Sequence, residues 1–320
     1  MTKKSLLILG ALAIMLAAFL WALDGVFFTP KILDLGLYDV PTIVFLLHLV
    51  GSFFLLSFLF QKKGELKNLQ KSDWGSFWLV AIFGGAVGTM AIVAAILKVH
   101  SAHLNISVVL LLQKLQPLFA ILLAFLILKE RPVKKFYSWA VLALIGSYFL
   151  TFGWAKPDIS AQGMLVPALL ALLAAFSFAA STVFSKKAIT KISFQLGTAL
   201  RFMLTTVVMI VIILAIMCLN SAGVNTSYAG LDGFKMINSQ LIFLFIIIAL
   251  TTGATAIFIY YWGLKRVTAS RATIYELFFP ISAILLEYLI HDKMLTVGQW
   301  VGAGIMFIAI FSIVNLKRTV

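Results

Sequence analysis

Residues 110–130 read LLLQKLQPLFAILLAFLILKE, an apolar helix of membrane length except that Gln113, Lys114 and Gln116 stand in its middle, just before Pro117. A lysine so far from either interface costs roughly 2.5–3.5 kcal/mol on insertion scales, and snorkelling from that depth is hard. Two roles would offset the cost. Lys114 is either a functional cation, holding a substrate carboxylate or phosphate in a cavity or changing its charge as the protein works, or part of a buried charge or amide network that fixes helix packing.

A second polar group lies near the carboxyl end. Glu276, Pro280, Ala283 and Glu287 recur at i, i+4, i+7 and i+11, which places them on one helical face. Gln113, Pro117, Ala120 and Ala124 make the corresponding stripe, and the two are expected to face each other across a cavity. Glu276 suits proton coupling or the binding of a substrate ammonium, whereas Glu287, nearer the outer end, is either a site residue or a solvated rim residue. Pro117 and Pro280 free backbone carbonyls in mid-helix, giving hinges that line a site or plain kinks. Asp24 and His48 are further proton-coupling candidates, with a water-exposed carboxylate and an ordinary hydrogen-bonded histidine as the alternatives. Arg201 either pairs with a carboxylate or snorkels, and a structural role is preferred. Trp21 and Tyr275 sit deep enough to stack on a substrate ring or cation, or simply pack. His100 and His103, spaced i, i+3, have no further ligand cluster, so neither a metal nor any other cofactor is expected.

The elements that position these residues follow from composition. Of 320 residues, 62% are hydrophobic and 11% charged, more apolar surface than a water-soluble core can hide. Runs of about 20 apolar residues occur near 5–28, 40–60, 75–97, 104–128, 136–154, 163–184, 194–219, 239–264, 271–290 and 297–315. Each must satisfy its own backbone hydrogen bonds in lipid, so the fold class is an all-α integral membrane protein of ten transmembrane helices. The first run is expected to be retained as a span rather than cleaved as a signal peptide. Of the 25 Lys and Arg, 18 fall in alternate connectors with the two ends of the chain, and only 5 in the others. By the positive-inside rule both termini are cytoplasmic, in a multi-pass cell membrane protein. The net charge of +14 therefore belongs to a membrane face and no nucleic-acid site is expected. Gly84/Gly88 and Gly298/Gly302 have the spacing of close helix contacts. Trp74, Trp78, Trp154, Trp262 and Trp300 fall near span ends, as interfacial anchors do.

The chain repeats itself. AAFLWALDGVFF at 17–28 parallels AAFSFAASTVFS at 174–185, and QKLQPLFAILLAFLILKE from Gln113 parallels ELFFPISAILLEYLIHDK from Glu276. FLLHL around His48 parallels ALRFM around Arg201. Five spans per unit is an odd number, so the halves 1–155 and 156–320 are expected to be inverted repeats with substrate near the midplane between them. The ten-span layout, the FLWALDG of the first span and the proline-to-KE ending of the fourth resemble the drug/metabolite transporter (DMT) superfamily, EamA type, over nearly the whole chain. Members often have Trp-Gly where this chain has Trp21-Ala22, and Asn where Asp24 stands.

That resemblance implies a secondary active or facilitative transporter, an exporter or exchanger in a bacterial-type inner membrane, working by alternating access. A small polar metabolite such as an amino acid is the expected substrate, Lys114 with Gln113 and Gln116 taking one end and Glu276 the other. A cationic or aromatic drug-like compound is the alternative, in which Trp21, Tyr275 and Glu276 dominate. A membrane-embedded enzyme or a scaffold is the competing class. The chain contains no HExxH, GxSxG or GxxxxGK[ST] pattern, which speaks against an enzyme. Oligomeric state is not readable from the sequence.

Overall fold

A computed structural model describes residues 3–316 except 103, 105, 157–161, 227 and 293, with backbone alone at positions 3, 100 and 107. The His100/His103 pair thus falls outside the described side chains. Among the described residues there are ten helices long and apolar enough to cross a membrane, and no strand. They are α1 (Lys4–Asp34), α2 (Val40–Asn68), α3 (Lys71–Val99), α4 (Val108–Leu128), α5 (Lys134–Phe152), α6 (Leu165–Ala188), α7 (Phe194–Ser221), α8 (Ser239–Leu264), α9 (Ala269–His291) and α10 (Val297–Asn315).

The helices start where a side chain can serve an orphan backbone N–H. Asp39, Ser193, Asn238, Thr268 and Thr296 each cap the helix that follows. α1 continues past residue 28, where the sequence suggested it would end. A π-helical turn at Asp24–Phe28 already interrupts the regular ladder, so Pro30 falls in the first turn of the continuing helix, where its missing N–H costs little.

The pairings express the inverted repeat. α1 packs on α8 and α9, and its counterpart α6 packs on α3 and α4, while α2 pairs with α7 and α5 with α10. Exchanging the halves maps the first four contacts onto one another and the last two onto themselves. The local geometry repeats as well. α4 and α9 both end in a left-handed non-glycine residue, Lys129 (φ 56°) and Asp292 (φ 51°), at corresponding positions. Such a residue costs about 1–2 kcal/mol, yet both halves keep it.

Small residues let the paired helices approach closely. A Cβ on Gly302 would fall on the backbone N of Leu150 and within 2.7 Å of Gly146 O, so α5 and α10 touch backbone to backbone. At the Lys-rich end, Lys191 reaches Asp73 at 2.7 Å and the Ser193 N–H donates to Glu65. At the opposite end, Asp39 accepts from the Ala229 N–H at 2.9 Å.

Between α4 and α5, Glu130 reaches across to the start of α9. Its carboxylate accepts from Ala269 N–H (2.8 Å), Ser270 N–H (3.0 Å) and Ser270 Oγ (2.7 Å). Three charge-assisted bonds at a helix amino end are worth about 2 kcal/mol together. Glu130→Ala is therefore expected to lower the unfolding midpoint in detergent by about 4 °C. An unchanged midpoint would show that water replaces the carboxylate without loss.

Candidate functional site

The centre of the molecule is built from two broken helices. Pro117 cannot donate to the carbonyl four residues back, that of Gln113, and Pro280 leaves the carbonyl of Glu276 in the same position. Each helix breaks there. α4 divides into Ile106–Gln113 and Gln116–Leu128, and α9 into Ala269–Glu276 and Phe278–His291. Tight i→i+3 bonds from Leu115 to Leu112 and from Leu277 to Ile274 close the turns. Because α9 is interrupted directly after Glu276, the expected continuous stripe from Glu276 to Glu287 is two separate segments.

At the break in α9 the Glu276 carboxylate accepts from Tyr260 OH at 2.6 Å and from Gln116 Nε2 at 2.7 Å. Tyr260 and Thr182 hydroxyls lie 3.0 Å apart, extending the network into α6 and α8. The Trp21 ring leans on the Tyr260 ring, with centroids 5.4 Å apart and planes tilted by 51°. Four helices thus meet at one carboxylate, and α1 supplies an aromatic wall. Tyr260 and Thr182 are buried, whereas Glu276, Gln116 and Trp21 are half-buried.

Arg201 adds positive charge beside this network. Its Nη1 donates to Ser181 Oγ at 3.4 Å, its guanidinium lies 5.9 Å from the Tyr261 ring centre, and its buried Nε has no hydrogen-bond partner among the described residues. The side chain is 8% exposed, so it does not snorkel.

Lys114 has a different neighbourhood. At 9% exposed it occupies the break in α4, and its ammonium donates to Thr151 Oγ1 of α5 at 3.0 Å. Among the described residues it has no carboxylate within ion-pair distance. One turn earlier on the same face of α5, the buried Ser147 Oγ has no hydrogen-bond partner among the described residues. Gln113 is half-buried beside the same break.

Other candidates are dispersed. Asp24 accepts from Thr29 at 3.4 Å and from Thr252 at 3.2 Å, the latter in the turn that divides α8 into Ser239–Leu250 and Ala254–Leu264. His48 Nδ1 is 2.8 Å from Val44 O, and its ring lies 5.1 Å from that of Phe202. No hydrogen bond between described residues links either to Glu276. Tyr275 is buried beside Arg271 in the main apolar cluster, against which Trp21 also packs.

Sequence reasoning missed Tyr260, Thr182, Thr151 and Thr252. Thr182 had a signal, since it lies inside the repeated AAFSFAASTVFS segment. Tyr260 had none, because a tyrosine among FIYYWG reads as ordinary helix packing.

A profile of the EamA-like transporter family matches residues 8–152 and again 165–315. The chain is 43% identical over 311 residues to the Riboflavin transporter ImpX of Fusobacterium nucleatum subsp. nucleatum, covering 96% of this chain and 98% of that one. It is 24% identical to the uncharacterized transporter YoaV of Bacillus subtilis, over 87% of this chain and 89% of that one. A solved crystal structure superposes with a TM-score of 0.69 at 13% identity, covering 96% of both chains, which is a likeness of fold.

Proposed function

This chain belongs to the EamA-like transporter family, and from that membership we propose that it carries riboflavin or a closely similar uncharged, flat heterocycle across the membrane. It is a transporter of the DMT type and not an enzyme. The observation that carries the substrate reading is the mid-span network of Glu276, Gln116 and Tyr260 beside the Trp21 ring. A ring imide presents an N–H between two carbonyls. Glu276 accepts that N–H, the Gln116 amide donates to a carbonyl, and Trp21 stacks on the ring face. The relative named as a riboflavin transporter supports the same chemistry.

The amino-acid expectation required Lys114 and Glu276 to grip two ends of one zwitterion. Lys114 donates to Thr151, and Glu276 accepts from Gln116 and Tyr260. In the flavin reading Lys114 and Gln113 donate to the hydroxyls of the substrate's polar tail. The halves 1–155 and 156–320 expose the midplane site alternately, with Pro117 and Pro280 at the flexing points. Glu276 couples a proton, and Asp24 and His48 adjust to the change. Both termini lie in the cytoplasm on the Lys-rich face, by the charge count.

The test is uptake into proteoliposomes of labelled riboflavin and, separately, of a labelled amino-acid panel, with and without a pH gradient. Saturable riboflavin uptake that unlabelled flavin competes and amino acids do not supports the reading. Amino-acid uptake without flavin uptake overturns it. In the same assay Trp21→Ala is expected to raise KM about tenfold with kcat little changed, the loss of one stacking face worth about 1.5 kcal/mol. An unaltered KM would remove Trp21 from the site.

A further inference from the structure

At the Lys-rich end of the molecule a cleft of about 500 Å³ opens between the amino end of α1, the end of α2, the first turn of α7 and the end of α8. Its lining includes Leu6, Lys62, Ser193, Phe194, Lys265 and Arg266, three of them cationic and none acidic. Two of the cations are held in place. Lys265 Nζ donates to Ile192 O at 2.6 Å, and the Arg266 guanidinium lies 3.5 Å from the centre of the Trp262 ring. The Lys62 ammonium has no hydrogen-bond or ion-pair partner among the described residues. Glu65, a carboxylate beside the cleft, accepts from the Ser193 N–H. Burial holds Lys265 below the ordinary lysine range, with Glu65 opposing the shift and Arg266 adding to it. Two crowded cations favour an anion between them.

The repeat offers an internal comparison. The corner related by inversion begins α2 with the cap Asp39 followed by Val40 and Pro41, where this corner begins α7 with Ser193, Phe194 and Gln195. Beside it, Leu6, Leu9 and Phe60 on α1 and α2 are exposed, as side chains that face acyl chains are.

We propose that this cleft binds the headgroup phosphate of an anionic phospholipid, held by Lys62, Lys265 and Arg266 with its acyl chains running along Leu6 and Phe194. The apolar flank distinguishes a lipid from free phosphate, which would gain nothing from it. Each cation near a membrane surface contributes about a fivefold gain in affinity for an anionic lipid.

The full chain, purified in detergent, would be titrated with dioleoyl phosphatidylglycerol, dioleoyl phosphatidylcholine, glycerophosphoglycerol and inorganic phosphate, following the thermal midpoint and bound lipid by native mass spectrometry. Phosphatidylglycerol alone is expected to raise the midpoint. Lys62→Gln should weaken its binding about fivefold and Lys62→Glu about twenty-five-fold. Both variants should fold normally, because the ammonium supports no other contact. Lys135→Gln, in the separate cleft between α5 and α10, should change nothing. Equal effects of the two lipids, a full shift from inorganic phosphate or glycerophosphoglycerol, or undiminished binding by Lys62→Glu would each overturn the assignment.

Discussion

Glu276→Gln protein, reconstituted in liposomes, is expected to transport riboflavin at least tenfold more slowly than the parent and to lose its response to a pH gradient. The substitution keeps the shape of the side chain. Its oxygen still accepts from Gln116, and its amide donates to the Tyr260 oxygen once that hydroxyl turns to Thr182, 3.0 Å away. The fold therefore survives, and what disappears is one titratable acceptor. A hydrogen bond to a charged group is worth about 1.5–3 kcal/mol, which sets a loss of roughly tenfold to a hundredfold. Glu276→Ala should be worse and less informative, since it strands the Tyr260 hydroxyl and the Gln116 amide without a partner. Initial rates of flavin counterflow, measured with and without an imposed pH gradient, decide the matter. Full transport that still follows the gradient would move proton coupling elsewhere.

The largest structural effect should come from Gly302→Val. The added Cβ meets the backbone of Leu150, Gly146 and Phe149, and backbone cannot rotate aside as a side chain can. α5 and α10 must then separate along the whole pair, at a cost of about 3 kcal/mol or more. The expected result is a midpoint lowered by at least about 6 °C and a large fall in monodisperse yield. Gly304→Ala is the matched control. It lies two residues along the same helix, and a Cβ there meets nothing within 4 Å. Equal behaviour of the two variants would show that the α5–α10 contact is looser than described.

Ten spans, their alternating connector charge and the two break points were legible in the sequence, each for a physical reason. Lipid demands long apolar runs, and proline removes a specific hydrogen bond, so Pro117 and Pro280 marked the breaks two to three residues before them. Glu276 and Gln116 were legible because charge and amide groups are costly in mid-span. Their partners were not. Thr182, Thr151 and Thr252 bear hydroxyls that a helix can satisfy with its own backbone, so they carry little sequence signal until tertiary packing aims them. Lys114 and Glu276 were legible together because both lie beside equivalent prolines, but the side chains each would meet were not. Which side of a broken helix each faces depends on rotation about the helix axis, and that is set by packing against Thr151 in one case and Tyr260 in the other.

The exchange of contacts between halves also has a thermodynamic side. Suppose a carrier switches its open face by letting its two halves trade shapes. Were those halves identical, the two end states would be mirror partners of equal free energy, and the empty protein would rest on each face half the time. The preference of this chain is then written wholly in the places where its halves disagree. Lys191 and Asp73 form an ion pair at one end, while at the other Asp39 accepts from the Ala229 N–H and His291 Nε2 lies 3.4 Å from Val26 O. Mismatched fastenings of that kind act as a counterweight. Changing one of them should tilt the resting population without touching the site that recognises cargo.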